Sequence, residues 1–464
     1  MEIFNSRKSF DRVRIAAWLS PPARAHAREY APTFAAEFAV LGCQIVAYKL
    51  AAHFLGHQGF SEYAVARRAI STLYPVCLLG LGVALARSIA RADGEGAAEN
   101  GRVRSRDMGA ALMCVGGVTT LAVAAINMFS GTFAYLVFGD AAYRALAAPI
   151  SLVIAGLILH AIAYAYFRGH LQMTAANTLQ LVNLGLVPLA AFLLVTRTAG
   201  AVLEALGAAT IVVAMVALAC APSAELRPGT RRDIAALLRY GAPRVPGDFA
   251  QMALLGLPAF FVAHWAGVQQ AGYVAFAISF LSMISGAFSP IGSILLPKAS
   301  RMIASGARGE LRDHLWSLAR ITVLVSSVLI VLTFVFADRL IRLYLGPGYG
   351  DVAHMLRMIC VGAAPYSLFL VMRNAVDAHH EGAVTSLFLV GALGIFGLGA
   401  GCVFLKWAGW SFVLEAFLVS LFVLSALTCA QAVRIFGMPP RRNRPAPPVT
   451  AAPMAVKVES SRAR

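Results

Sequence analysis

Charge is what this sequence has least of. Asp, Glu, Lys and Arg make up 13% of its 464 residues, about half the share of an ordinary soluble domain. Acidic residues are the scarcer sign, 22 against 39 Lys and Arg. With 59% hydrophobic residues, that shortage excludes the soluble, fibrous and disordered classes. No CxxC pair and no Cys/His spacing suited to a metal occurs. The seven cysteines, at 43, 77, 114, 220, 360, 402 and 429, fall mainly in apolar runs and read as small buried hydrophobes. No metal and no cofactor is expected. A P-loop, a GxGxxG after a strand and a nucleophile elbow are missing too, which argues against an enzyme. No signal peptide is expected, because the first 30 residues carry six Arg and Lys and no long apolar core.

What is present is a series of long apolar runs. They lie at about 32–56, 65–86, 109–130, 145–167, 171–195 and 199–221, then 243–266, 270–296, 315–337, 354–376, 383–405 and 409–434. Each is long enough to cross a hydrocarbon core of roughly 30 Å as a helix. The expected fold is an all-α polytopic membrane protein with about twelve transmembrane helices. The expected division is a cytoplasmic segment 1–31 with a surface helix near Phe10–Leu19, a first lobe 32–222, a linker 223–242, a second lobe 243–434 and a Pro- and Arg-rich disordered tail 435–464.

The basic residues set the orientation. Thirty of the 39 fall in the N-terminal segment, alternate loops and the tail, and six fall on the opposite side. The positive-inside rule then places both termini in the cytoplasm. The remaining three, Lys49, Arg67 and Arg68, fall inside spans.

The two halves echo each other at an offset near 210. Tyr30-Ala-Pro-Thr-Phe-Ala-Ala-Glu37-Phe38 matches Tyr240-Gly-Ala-Pro243-Arg-Val-Pro-Gly-Asp248-Phe249. Gly59-Phe-Ser-Glu-Tyr63 matches Gln270-Ala-Gly-Tyr273, and Tyr135-Leu-Val-Phe-Gly139 matches Leu343-Tyr-Leu-Gly346. Six spans per half is an even number, so both halves enter the membrane in one direction as a parallel 6+6 repeat.

These residues, with Leu79-Gly-Leu-Gly-Val-Ala-Leu-Ala-Arg87, Leu238-Arg-Tyr-Gly241-Ala-Pro243 and Leu296-Pro297, carry a resemblance. From about residue 30 to 434 the chain resembles the MOP (multidrug/oligosaccharidyl-lipid/polysaccharide) exporter superfamily, and most of all its Wzx-like O-antigen and polysaccharide flippases. The resemblance implies two six-helix lobes, a cavity lined by spans 1, 2, 7 and 8, and export of undecaprenyl-diphosphate-linked saccharides across a bacterial inner membrane. Its implied partners are that lipid-linked saccharide, the bilayer and polysaccharide polymerase machinery, with no nucleic acid.

Charges inside a membrane face a cavity or a partner. Arg67, Arg68 and Lys49 are the candidate substrate-binding cations, since a guanidinium can take a phosphate through two parallel hydrogen bonds. Snorkelling to the headgroups is the competing reading. His53 lies one turn from Lys49, and Gln44 on a neighbouring face. Glu37 and Asp248 hold matching places in spans 1 and 7 and are candidates for ion coupling; helix-dipole complementation explains them equally well. Arg244, Arg168, Arg373 and Asp377, with His379 and His380, are candidates for an inner gate. His160, Glu415, Asn177 and Asn183 read as helix–helix contacts. Pro75, Pro188, Pro258, Pro290 and Pro365 read as kinks. The rivals to a flippase of sugar repeat units are a lipid II flippase, a cation or drug antiporter, which needs a carboxylate-dominated cavity, and a membrane-embedded polymerase.

Overall fold

A computed structural model describes residues 21–94, 97–195, 198–220, 229–380 and 384–438. The expected surface helix near Phe10–Leu19 and all but the first residues of the basic tail lie outside the described residues. Within them every regular element is a helix. Long continuous apolar runs suit helices in lipid, because a helix satisfies its backbone polar groups within its own segment. The α-helices are α1 (Pro21–Leu78), α2 (Leu81–Gly94), α3 (Ala97–Met128), α4 (Ser130–Phe138), α5 (Ala147–Gly169), α6 (Met173–Gln180), α7 (Val187–Leu194), α8 (Ala199–Ala219), α9 (Arg231–Gly241), α10 (Val245–Gly286), α11 (Ser289–Ala304), α12 (Arg308–Tyr344), α13 (Gly350–Cys360), α14 (Ala363–His379), α15 (Val384–Phe404) and α16 (Phe412–Phe436).

Among the described residues nine helices are long and apolar enough to cross a membrane, or ten with the bent pair α13–α14 taken as one span. The sequence predicts twelve crossings. The difference lies in α1 and α10, each of which turns back on itself at a glycine. Gly56 has φ 65° and ψ −173°, and Gly267 has φ 80° and ψ 169°. Only glycine takes such a conformation at no steric cost. The contacts demand the turn. Arg67 donates to Gln44 Oε1 at 3.4 Å, and the rings of Tyr48 and Tyr63 lie 6.1 Å apart. On a straight helix Gln44 and Arg67 would be separated by about 35 Å. In α10 the Gly256 backbone and Ala275 O both lie against Arg68. Two of the ten spans are therefore hairpins, and the ten make twelve crossings.

The hairpins also display the repeat. Gly56 and Gly267 are 211 residues apart, the predicted spacing. Gly139 and Gly346, which end the third span of each half, both have positive φ. The hairpins α1 and α10 pack on each other along most of their length. At two levels, residues in equivalent positions meet. Ser61 occupies the space a side chain on Gly272 would need, and Arg68 donates to Ser279 Oγ at 2.6 Å. A residue touches its own counterpart only on a pseudo-two-fold axis, so that axis runs between the second arms of the hairpins.

The linker helix α9 starts with a capping box in which Thr230 and Asp233 satisfy each other's backbone amides. It packs on α2 and α3. Its last residue, Gly241, abuts the break between α1 and α2, where Gly80 has φ 68°. A Cβ on Gly241 would sit 2.7 Å from Leu79 O, so neither glycine has room for a side chain.

Candidate functional site

A cavity of about 870 Å³ lies largely within the first half. Spans 1 and 2 contribute Gln44, Arg67, Ser71 and Tyr74. α2 contributes Arg87. α5 contributes His160, Tyr164 and Arg168, span 5 contributes Gln180 and Asn183, α8 contributes Thr210, and α10 contributes Asp248 and Met252. The resemblance implied walls from spans 1, 2, 7 and 8. The large cavity takes spans 4, 5 and 6 in place of span 8. Spans 1, 2 and 8 enclose a second chamber of about 180 Å³, which shares Gln44, Arg67 and Ser71 with the first.

Arg67 stands where the two spaces join. It donates to Tyr63 Oη at 3.3 Å and to Gln44 Oε1 at 3.4 Å, and its guanidinium lies 5.6 and 5.9 Å from the ring centres of Tyr48 and Tyr63. Neutral oxygens and ring faces hold it; among the described residues no carboxylate does. Arg68 turns away from the large cavity. It is 7% exposed, and its hydrogen bonds go to Ala275 O and Ser279 Oγ of α10, with Tyr48 Oη closing on Ser279 at 2.7 Å. It lines only the smaller chamber. Lys49 is exposed and lines neither space, and His53 beside it is exposed too.

At the cavity's rim, Arg87, Arg168, Leu171 and Asp248 are all exposed, so the space opens at that end of the bundle. Tyr240 is clasped between two guanidiniums, Arg87 at 4.2 Å and Arg244 at 4.8 Å from its ring centre. Arg168 lies over Tyr164 at 5.6 Å and within electrostatic reach of Glu37. Asp248 lies within electrostatic reach of Arg373 and Arg244. Arg373 itself donates to Gln251 Oε1 at 2.7 Å and lies 3.9 Å from Asp377, which accepts from Thr385 at 2.7 Å. The expected gate residues thus form two groups. Arg168 belongs with Glu37 and Tyr164. Arg373, Asp377, Asp248 and Arg244 belong to the second half and the start of α10. His380 pairs with Gln431 at 2.9 Å, outside both groups.

The opposite end is sealed by contacts between the halves. The His57 ring lies 4.1 Å from the Tyr349 ring, tilted by 31°, and bonds Tyr273 Oη at 3.3 Å. Ser61 donates to Gln269 O at 3.2 Å, Tyr349 to Ala52 O at 3.2 Å, and Tyr344 to Ile45 O. Among the described residues these contacts close that end, and the exposed rim residues lie at the other.

Arg87, Tyr74, Gln180 and Thr210 are cavity residues that sequence reasoning misses. Arg87 read as a loop charge and the others as span residues. The arginine motif ending at Arg87 was the available signal.

A family described as "Polysaccharide biosynthesis protein" matches residues 28–303, more than half of the chain. No curated protein matches. Among solved structures, a multidrug resistance MATE family transporter of the MOP superfamily in an inward-facing conformation is similar, at 15% identity and TM-score 0.67, over 84% of this chain and 94% of that one. A eukaryotic MATE transporter matches at 14% identity and TM-score 0.63, over 88% and 95%. A MOP superfamily transporter from Pyrococcus furiosus, for which reverse polarity of the binding pocket suggests a different function, matches at 12% identity and TM-score 0.59, over 88% and 95%. At these identities the likeness is one of fold.

Proposed function

The chain belongs to the polysaccharide biosynthesis protein family, and we propose that it flips undecaprenyl-diphosphate-linked oligosaccharide repeat units across the bacterial inner membrane. Alternating access carries the headgroup while the polyprenyl tail stays in lipid. The observation that carries this reading is the sign of the cavity: Arg67 at its depth and Arg87 and Arg168 at its rim, against a single lining carboxylate among the described residues, Asp248. A diphosphate is the anion such a space suits, because charge-assisted guanidinium contacts replace the hydration it loses. In the reading proposed here both termini and the open rim face the cytoplasm, where the basic loops lie, so the conformation is the one that loads cargo.

A cation antiporter needs a free carboxylate within the cavity. Asp248 is within reach of Arg244 and Arg373, and Glu37, which reaches Arg168, does not line the space. The reverse pocket polarity reported for the Pyrococcus furiosus neighbour shows that this fold accommodates pockets of different sign. Outward movement of about two negative charges down an inside-negative potential of ~150 mV releases ~7 kcal/mol, enough to drive export. Glu37 and Asp248 are the residues through which a proton would couple if one is exchanged.

Deletion of the gene tests the reading. Loss of surface polymer with accumulation of the lipid-linked repeat unit is expected, restored by wild type and not by a membrane-inserted Arg67→Ala/Arg87→Ala protein. Accumulation of the peptidoglycan precursor would assign the chain to lipid II. Normal polymer with new sensitivity to cationic drugs would overturn the flippase reading.

A further inference from the structure

Span 5 contains an irregularity that lines the cavity and that the diphosphate does not explain. Between α6 and α7 the backbone widens into a π-helical turn over Leu181–Leu186, closed by a bond from the Val187 amide to Val182 O. Pro188 follows at once. It cannot donate to Leu184 O, and its ring crowds that carbonyl; a wider turn accommodates both. Gly185 lets the turn press on span 1, where a Cβ would lie 3.2 Å from Cys43 Sγ. π-turns recur at functional sites, and this one presents Gln180 and Asn183 to the cavity.

Asn183 is 1% exposed. Its amide nitrogen donates twice, to His160 Nδ1 at 3.2 Å and to Thr210 O at 3.4 Å. The carbonyl acceptor fixes which way the amide faces, since a flipped group would set two oxygens against each other. The Asn183 oxygen is then left buried with no partner among the described residues, and so is Gln180 Oε1. Burying an acceptor unpaired costs roughly 1–3 kcal/mol. Two such acceptors, one turn apart on residues that both line one cavity, are complementary to a ligand that brings donors. They carry no charge, so they do not select a phosphate or any other anion. They suit hydroxyl groups, or the amide N–H of an acetamido sugar.

We propose that Gln180 and Asn183, braced by His160 and Thr210, form a saccharide subsite that reads the sugar of the cargo while the arginines take its charged linker. This rests on the flippase reading and assigns the specificity within that cavity. Both acceptors belong to the first half, so sugar recognition would be made on one side of the moving interface.

The test uses the full-length protein in lipid nanodiscs, with saturation-transfer NMR against two kinds of probe: a panel of uncharged methyl glycosides with and without acetamido groups, and inorganic pyrophosphate. Wild type is expected to bind pyrophosphate and at least one glycoside. Gln180→Leu, which keeps the volume and removes an acceptor that has no protein partner, is expected to weaken the glycoside at least tenfold, leave pyrophosphate unchanged and leave thermal stability unchanged or raised. Asn183→Leu is expected to do the same to the glycoside at some loss of stability. Arg67→Ala should show the reverse selectivity. Undiminished glycoside binding by Gln180→Leu, or pyrophosphate binding with no glycoside binding by wild type, overturns the subsite and leaves the flippase reading standing. Failure of wild type to bind either probe removes both.

Discussion

The two halves of this molecule share a backbone and differ in what their hairpins enclose. At the spacing set by Gly56 and Gly267, Gln44 and Tyr48 of the first hairpin correspond to Leu255 and Ala259 of the second. Arg67 and Arg68 correspond to Ile278 and Ser279, and Tyr74 to Ser285. Leu255, Ala259 and Ile278 are buried in the core. Ser285 is fully buried and closed off by Ala363 O at 3.3 Å and Ser367 Oγ at 3.1 Å. Their first-half counterparts Gln44, Arg67 and Tyr74 line the large cavity. Duplication supplies the architecture, and a few polar replacements line a cavity in one copy. The halves therefore differ in lining: the first presents polar side chains to the cavity, the second packs the matching positions into the core, and both contribute to the far-end seal.

The comparison can be broken by exchanging matched residues. The largest effect is expected from Ile278→Arg. In the second half a guanidinium at this place enters a packed core, and an uncompensated buried charge costs about 3–5 kcal/mol. The yield of monodisperse protein in detergent should collapse, whereas Arg67→Ile should purify as wild type does. A next, smaller effect is expected at the axis itself. Gly272→Val drives a branched side chain into Ser61 and separates the hairpins; overpacking of this kind costs about 1–3 kcal/mol, visible as a lowered melting temperature. The smallest is at the linker. Thr230→Ala removes the cap of α9 at about 1 kcal/mol. It should lower stability slightly and leave transport intact, because the cap lies at the end of α9 opposite Tyr240, which meets the cavity's rim.

Much of the fold could be read from the sequence. The apolar runs and the repeat offset are local or periodic signals, and the glycines that turn the hairpins, which the sequence reading did not single out, fall at the predicted spacing. Hydropathy also locates charge along a span, which is why Lys49, Arg67 and Arg68 stand out in the sequence. It does not locate azimuth. These helices are apolar all round, so the pattern that would orient a surface helix is missing, and nothing in the sequence says that Arg67 faces a cavity, Arg68 the other half and Lys49 the exterior. The same limit hid the cavity walls. Spans 4, 5 and 6 look no different from spans that merely pack, and the π-turn depends on a conflict between Pro188 and a carbonyl one turn back.

The most direct measurement is flipping by purified protein. Proteoliposomes would carry a fluorescent polyprenyl-diphosphate saccharide, with a membrane-impermeant quencher reporting its leaflet. Wild type is predicted to equilibrate the lipid between leaflets, and Arg67→Ile, which makes the first half resemble the second, to lose at least tenfold in rate while remaining folded. Equal rates for the two proteins would contradict the claim that the cationic cavity of the first half carries the cargo.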